Sequence, residues 1–357
     1  MMKVGKQTLI KKLKSNPTLD FIQKSIRFLS DRDYMKNAAD YYRDPYNFFL
    51  RSLGNADRNK DKVVYYITQG GPYPGFCSML MYLLLALEKM DIFHMYPVIL
   101  WKDSLYGEIG EINGTSYAYE YYFNQPAGIS VAEAENSANV LLSKPCDFSY
   151  RVGLNPYSLK EAEINQLAIQ YKKYIMLKPE ISQYLMNHIN QIISGKRTLG
   201  VHIRGTDFNL GLHNHPVAVS PEEYVQMIEK RIKEYHYEQI FLATDDEAIL
   251  EFMKKKLSHT IKVVYYHDVF RSKDGLPVHK SLDKRENHKY LLGLEILRDV
   301  YTLANCTGLL AGVSNVSICV RVINQTLGHR FEQTDIIDKG LCKSNLDLQT
   351  AFQKLPH

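Results

Sequence analysis

Apolar positions in the second half of the chain fall into short unbroken runs separated by amphipathic stretches. LGVHI at 199–203 reads as a buried strand, and QIFLA at 239–243, IKVVYY at 261–266 and GLLA at 308–311 read as further strands of the same kind of unit. The segments between them carry explicit helix starts. Ser220-Pro221-Glu222-Glu223 supplies an N-cap serine, a proline at the first helical position and a glutamate at the third. Thr244-Asp245-Asp246-Glu247 reads as a capping box that opens a helix over 248–257. A long helix follows over 286–304, and a last one over 315–327 is stopped by Gly328. Strands alternating with helices predict a mostly parallel sheet with right-handed crossovers.

The first half begins the same way. KVVYYIT at 62–68 is a strand, QGGPYPG at 69–75 a loop, 77–89 a helix with little polar surface, and YPVILW at 96–101 the next strand. In this βαβ unit the glycines would let a ligand approach the backbone at the helix start, which makes Gly75, Cys77 and Ser78 candidate contacts. The G-x-G-x-x-G spacing of dinucleotide sites is missing, and a loop that only turns the chain is almost as good an account. Tyr117, Tyr119, Tyr121, Tyr122 and Phe123 crowd together; core or edge strand is the preferred reading over a sugar-stacking wall. A capping box at 158–161 (SLKE) opens a helical region expected to run to 193. Ser194-Gly195-Lys196-Arg197 then marks a boundary, dividing an N-terminal domain over 1–195 from a C-terminal one over 196–357.

Composition narrows the partners. The 357 residues, 45% hydrophobic, suffice for two cores, and 44 basic against 39 acidic side chains leave a mild +5. That balance argues against a dedicated nucleic-acid binder and suits an anionic small ligand or an anionic membrane surface. Lysines interleaved with apolar residues over 1–29 suggest amphipathic helices that pack on the body of the protein, with weak membrane-surface association as the second reading. Five cysteines, odd in number and without a C-x-x-C pair, look like reduced thiols. The longest apolar run, 79–87, is too short to cross a bilayer, and the basic N-terminus lacks a signal-peptide core. The expectation is a cytoplasmic protein, in which the sequons at Asn113, Asn305, Asn315 and Asn324 carry no sugar.

The candidate chemistry centres on TLGVHIRGTD at 198–207. Apolar residues flank Arg204 so tightly that it must leave the sheet near its carboxyl edge, where open α/β sheets bind ligands. Its guanidinium fork suits a phosphate or carboxylate, and His202 shares its face of the strand. Three loops should meet at that edge, carrying His202 with Arg204, Asp245 with Asp246, and Ser314 with Asn315. The helix starting at Asn315 offers backbone N–H groups and a positive dipole end to a diphosphate. Asp299 is an acidic residue on an otherwise apolar stretch and a candidate for binding a base or a donor hydroxyl. Asp245 and Asp246 suggest a divalent-metal pair, but a position inside a capping box makes a helix cap the better account. No required metal or cofactor is expected.

GVHIRGTDF, IFLATDDEAILEFMKKK and LEILRDVYTLANCTGLLAGVSNVSICVRVIN occur in that order over 200–325. Together they resemble the three motifs of the GDP-fucose-dependent fucosyltransferases, of the α1,6- and nodulation-fucosyltransferase type, with the protein O-fucosyltransferases as cousins. GFCSML at 75–80 is faintly similar to the family's N-terminal glycine loop. The resemblance implies a GT-B fold, with two Rossmann-like domains facing across a cleft and the nucleotide-sugar on the C-terminal one. It also implies metal-independent transfer with inversion at the anomeric carbon. Carried over, His202 would contact the guanosine and Arg204 the β-phosphate. Asp299 would recognise guanine, the backbone near Ser314 and Asn315 would bind the diphosphate, and Asp245 or Asp246 would border the pocket. Asp207, His213 and His215 are the candidates for the base. One departure stands out: many relatives have a second arginine where this chain has Gly205, whereas the protein O-fucosyl branch also uses one. The expected partners are GDP-fucose and a glycan or lipid-linked glycan at the inner membrane face. A different nucleotide-sugar donor is the alternative, and a non-catalytic carbohydrate-binding protein comes third.

Overall fold

The structure, a computed structural model, describes residues 48–51, 57–68, 75–102, 104–143, 159–206, 211–275, 277–278, 283 and 285–344. The N-terminal amphipathic stretch, the glycine loop before Gly75 and the candidate base Asp207 lie outside them.

The chain begins with β1 (Phe48–Arg51), β2 (Val64–Thr68), α1 (Phe76–Phe93), β3 (Tyr96–Leu100), α2 (Ala118–Tyr122), β4 (Phe123–Asn124), α3 (Val131–Ala134), β5 (Val140–Ser143), α4 (Glu161–Tyr174), β6 (Met176–Leu177) and α5 (Pro179–Ile193). It continues with β7 (Thr198–Ile203), α6 (Pro221–Tyr235), β8 (Gln239–Thr244), α7 (Glu247–Leu257), β9 (Lys262–Val264), α8 (His288–Ala304), β10 (Gly308–Gly312), α9 (Asn315–Thr326) and β11 (Gln333–Ile337). Two principal sheets result. The first runs β1-β5-β2-β3, parallel apart from the antiparallel pairing of β1 on β5. The second runs β11-β10-β7-β8-β9 and is parallel throughout. The protein is therefore of the α/β class expected.

Every residue of β7 and of β8 is buried, as unbroken apolar runs in a sheet covered on both faces require. Period-2 alternation then sorts their side chains. Leu199, Val201 and Ile203 face a core shared with α6 and α7, whereas Phe241, Ala243, Leu309 and Ala311 face a larger one. That larger core also takes Tyr65 and Ile67 of the first sheet and the apolar faces of α1, α4, α5, α8 and α9, so it is continuous between the halves. Polar contacts cross the same region: the Tyr171 and Tyr301 hydroxyls are 2.8 Å apart, Tyr122 Oη donates to the Tyr290 carbonyl at 2.7 Å, and Cys319 Sγ lies 3.7 Å from the Cys77 carbonyl. Gly200 lets α8 close on β7, because a Cβ there would stand 3.1 Å from Leu303 Cδ2 and 3.2 Å from Cys306 Cβ.

Several expectations are corrected. The helical region expected through 193 breaks at 175–178, since Pro179 forces the preceding residue out of the helical region and starts α5. α4 opens at Glu161, where the Glu163 carboxylate accepts the Lys160 backbone N–H at 2.6 Å; the expected cap Ser158 lies outside the described residues. Strands β1, β5 and β11 were not expected at all. The aromatic cluster goes as the preferred reading had it: Tyr119, Tyr121, Tyr122 and Phe123 are fully buried.

Candidate functional site

The C-terminal edge of the second sheet gathers the charged residues that the sequence puts after its strands. Register pairs His202 of β7 with Ala311 of β10 on one side and with Ala243 of β8 on the other, so Arg204, Asp245 and Ser314 leave from three adjacent strand ends. Asp245 organises the middle of this edge. One of its oxygens takes the Arg204 guanidinium at 2.7 Å and the Thr206 hydroxyl at 2.8 Å, and the other takes the Gly205 backbone N–H at 2.8 Å. Asp246 has the capping role: its carboxylate accepts the N–H groups of Ala248 at 2.8 Å and Ile249 at 3.2 Å. The N-cap is thus Asp246, with Thr244 still the last residue of β8.

The glycine in place of a second arginine has a steric cause. A Cβ at Gly205 would stand 2.5 Å from Asp246 Cβ and 3.0 Å from Ile249 Cδ1, so in this backbone no side chain fits there. One guanidinium remains on the loop, leaning toward β8 through Asp245. On the opposite neighbour, β10, α9 begins. Ser314 caps it by accepting the Ser317 N–H at 3.1 Å, and the Ser317 hydroxyl returns a bond to the Ser314 carbonyl at 2.8 Å. Capping leaves the Asn315 and Val316 N–H groups of the first turn to other acceptors, at the positive end of the helix dipole. Asn315 Oδ1 is buried and has no partner among the described residues.

His202 is buried between these features, and its Nδ1 likewise finds no partner among the described residues. Burial pushes its imidazole down to about 4; Asp245 opposes that and Arg204 adds to it. The ring is neutral at physiological pH and available as a hydrogen-bonding group rather than a cation. Asp299, on α8, keeps part of its surface open and makes no hydrogen bond or ion pair among the described residues. Burial pushes its carboxyl up to about 7 against the pull of Arg271 and Arg298, with Glu295 and Asp268 pushing the same way as burial.

The strand expected over 261–266 is only Lys262–Val264, and sequence reasoning assigned nothing to 267–272; the segment 265–272 instead wraps over α8 and fastens to the Asp245 loop. The Ser272 N–H donates to the Asp245 carbonyl at 2.9 Å, and the Glu247 N–H donates to the Ser272 carbonyl at 3.0 Å. This brings in Arg271, a buried cation whose only sequence signal is a basic residue in a loop. Arg298, beside Asp299, has no exposed side-chain surface. It reaches Asp268 with two bonds at 2.6 and 2.9 Å and Tyr184 Oη at 2.8 Å, with Tyr266 stacked 4.0 Å away.

The remaining candidates stand on other segments. The half-buried His215 sits on a loop pinned by the C-terminal segment, where its carbonyl accepts the Cys342 N–H at 2.8 Å. His213 Nδ1 lies 2.6 Å from the Ser344 carbonyl. Gly75 is the N-cap residue of α1, the half-buried Ser78 follows in the first turn, and Cys77 turns into the central core against α9. Among the described residues no group of three His, Cys, Asp or Glu is arranged to hold a metal ion. Nor does any helix among them have the length and apolarity to cross a membrane.

No family model and no curated protein matches the chain. Among solved structures it is similar to NodZ α1,6-fucosyltransferase co-crystallised with GDP, at 17% identity over 73% of this chain and 92% of that one, with a TM-score of 0.45. It is similar to fucosyltransferase NodZ from Bradyrhizobium at 14% over 72% and 92%, with a TM-score of 0.42. Its likeness to POFUT1 in complex with GDP-fucose is 12% over 78% and 74%, with a TM-score of 0.36. All three of these solved structures are of fucosyltransferases.

Proposed function

We propose that the chain is an inverting, metal-independent glycosyltransferase of GT-B type. It transfers fucose from GDP-fucose to a hydroxyl of a surface-polysaccharide or lipid-linked glycan, working in the cytoplasm at the inner membrane face. The observation that supports this most is the arrangement at one sheet edge: a guanidinium after β7, fixed by Asp245 of the β8 end, and an open helix start after the adjacent β10, with a neutral His202 on β7 itself. A pyrophosphate is the ligand that uses both a cation and first-turn amides. The resemblance of the three ordered motifs supports GDP-fucose as the donor, with another nucleotide-sugar as the alternative.

In this reading Arg204 and the Asn315 and Val316 amides stabilise the charge that gathers on departing GDP. The acceptor oxygen attacks the anomeric carbon from the opposite face, and a base takes its proton. Asp207, His215 and His213 are the candidates. In His213 the Ser344 carbonyl calls for the Nδ1–H tautomer, which leaves Nε2 as the proton acceptor. The donor site belongs to the half after Gly195 and the acceptor side to the half before it.

The test is a thermal-shift panel of GDP-fucose, GDP-mannose, UDP-sugars and CMP-sugars, followed by GDP release with candidate acceptors. GDP-fucose should stabilise the protein most, by mass action on the folded state. Greater stabilisation by a UDP- or CMP-sugar would overturn the donor assignment. Absence of GDP release with every acceptor, alongside tight sugar binding, would overturn the enzymatic one.

A further inference from the structure

The segment 266–272 is fastened to α8 by three side chains of that helix, at spacings that put all three on one face. Glu295 accepts the Phe270 N–H at 3.2 Å, Arg298 binds Asp268 through two bonds at 2.6 and 2.9 Å, and Thr302 Oγ1 meets the Tyr266 hydroxyl at 2.8 Å. Thr302 gives its own proton to the Arg298 carbonyl at 2.7 Å, so Tyr266 is the donor of that last pair.

Between these fixings the segment braces itself. Arg271 spends Nη2 on the Tyr266 carbonyl at 2.9 Å and Nη1 on the Val269 carbonyl at 3.3 Å, which closes 266–271 into one unit. Its far end is joined to the Asp245 loop by a short parallel bridge, in which the Ser272 N–H donates to the Asp245 carbonyl at 2.9 Å and the Ser272 carbonyl accepts the Glu247 N–H at 3.0 Å. Asp245 in turn holds the Arg204 guanidinium at 2.7 Å. An unbroken series of bonds therefore runs from α8 through this strap to Arg204.

Asp268 is the vulnerable link. Its side chain is 69% exposed, whereas the Arg298 that it neutralises has no exposed side-chain surface. Glu295 cannot take its place, since it is occupied by Arg285 and the Phe270 N–H. Without the Asp268 carboxylate the buried guanidinium must find another acceptor or pull toward water, and the strap loses its central fixing. We propose that Asp268 is a positioning residue: by anchoring the strap to Arg298 it sets the place of the Asp245 loop, and so the place at which Arg204 meets a diphosphate. The inference rests on the nucleotide-sugar reading above.

Calorimetric dissociation constants for GDP and guanosine, measured on the full chain and on Asp268→Ala at a temperature where both are folded, test this. In the variant GDP should weaken by about tenfold, as when a charge-assisted bond is misplaced, and guanosine, which offers no phosphate to Arg204, by less than about twofold. In an Arg204→Met background Asp268→Ala should change the GDP affinity by less than about twofold, because its effect travels through that guanidinium. A residue that serves stability alone would lower the melting temperature and leave folded-state affinities as they are, and that result overturns the proposal. Equal weakening of GDP and guanosine, or an undiminished effect in the Arg204→Met background, overturns it too. Should Asp268→Ala fail to fold, amide hydrogen exchange on wild type decides. Coupling is reciprocal, so GDP should slow the Ser272 and Glu247 amides at least about fivefold more than guanosine does, and equal slowing overturns the link. Either failure with GDP still bound refutes this inference alone. No binding of GDP to wild type refutes the nucleotide-sugar reading and this inference with it.

Discussion

Asp245→Asn is the substitution that most directly examines how the Arg204 loop is held. The aspartate accepts three bonds, from Arg204, Gly205 and Thr206, and its side chain is 12% exposed against 24% for the arginine. An asparagine keeps the shape and still accepts the Gly205 N–H through its own oxygen, and the Thr206 hydroxyl can rotate to accept from the new amide. The contact with Arg204 cannot be rebuilt, because the amide presents N–H groups to a group that has only donors. One charge-assisted bond in a partly screened setting is lost, about 2 kcal/mol. For a chain of this size that corresponds to a fall of about 3 °C in Tm. GDP should also bind more weakly, because the guanidinium is no longer held at the edge. The decisive measurement is a double-mutant cycle by urea unfolding. In an Arg204→Met background the same substitution should cost less than about 0.5 kcal/mol. An undiminished loss there would mean that Asp245 serves the loop backbone alone, and that Arg204 is placed by something else.

Gly205→Ala should destabilise by about 2 kcal/mol through overpacking against the cap of α7, read as a lower urea midpoint; a neutral effect would show that the loop can step aside. The affinity for GDP should depend on Asp299. Its folded carboxyl is pushed up to about 7, so protonation below that pH removes the acceptor and weakens binding about tenfold per pH unit, as measured by calorimetry. An Asp299→Asn variant should lose that slope, and a wild-type profile matching the variant's would contradict the role. Transfer should survive EDTA in full; abolition by EDTA with recovery on adding Mg²⁺ or Mn²⁺ would overturn the metal-free mechanism.

The parts of the fold legible in the sequence are those where a local rule and tertiary structure agree. β7 and β8 read plainly because both faces are buried, and α6 because Ser220, Pro221 and Glu223 all mark its start. β11 escaped notice since QTDII has only two apolar residues, without alternation, and sits at a sheet edge, and β5 because only four residues pair. At the site, Arg204 was legible from its flanking apolar run. The division of labour between Asp245 and Asp246 was not, because both satisfy the same capping pattern and only the position of β8 decides which one turns toward the loop. Arg271 carries no local signature at all, since its burial comes from a segment folding back onto α8.

The core that runs unbroken from Tyr65 and Ile67 through Tyr171 and Tyr301 to Leu309 also bears on how the molecule comes apart. Apolar groups shared by both sheets cannot be exposed on one side while the other stays intact. The chain should therefore melt in a single cooperative transition, so that truncating a side chain in either sheet shifts one common midpoint. A swing of one half against the other would open that shared apolar surface to water and is disfavoured for the same reason.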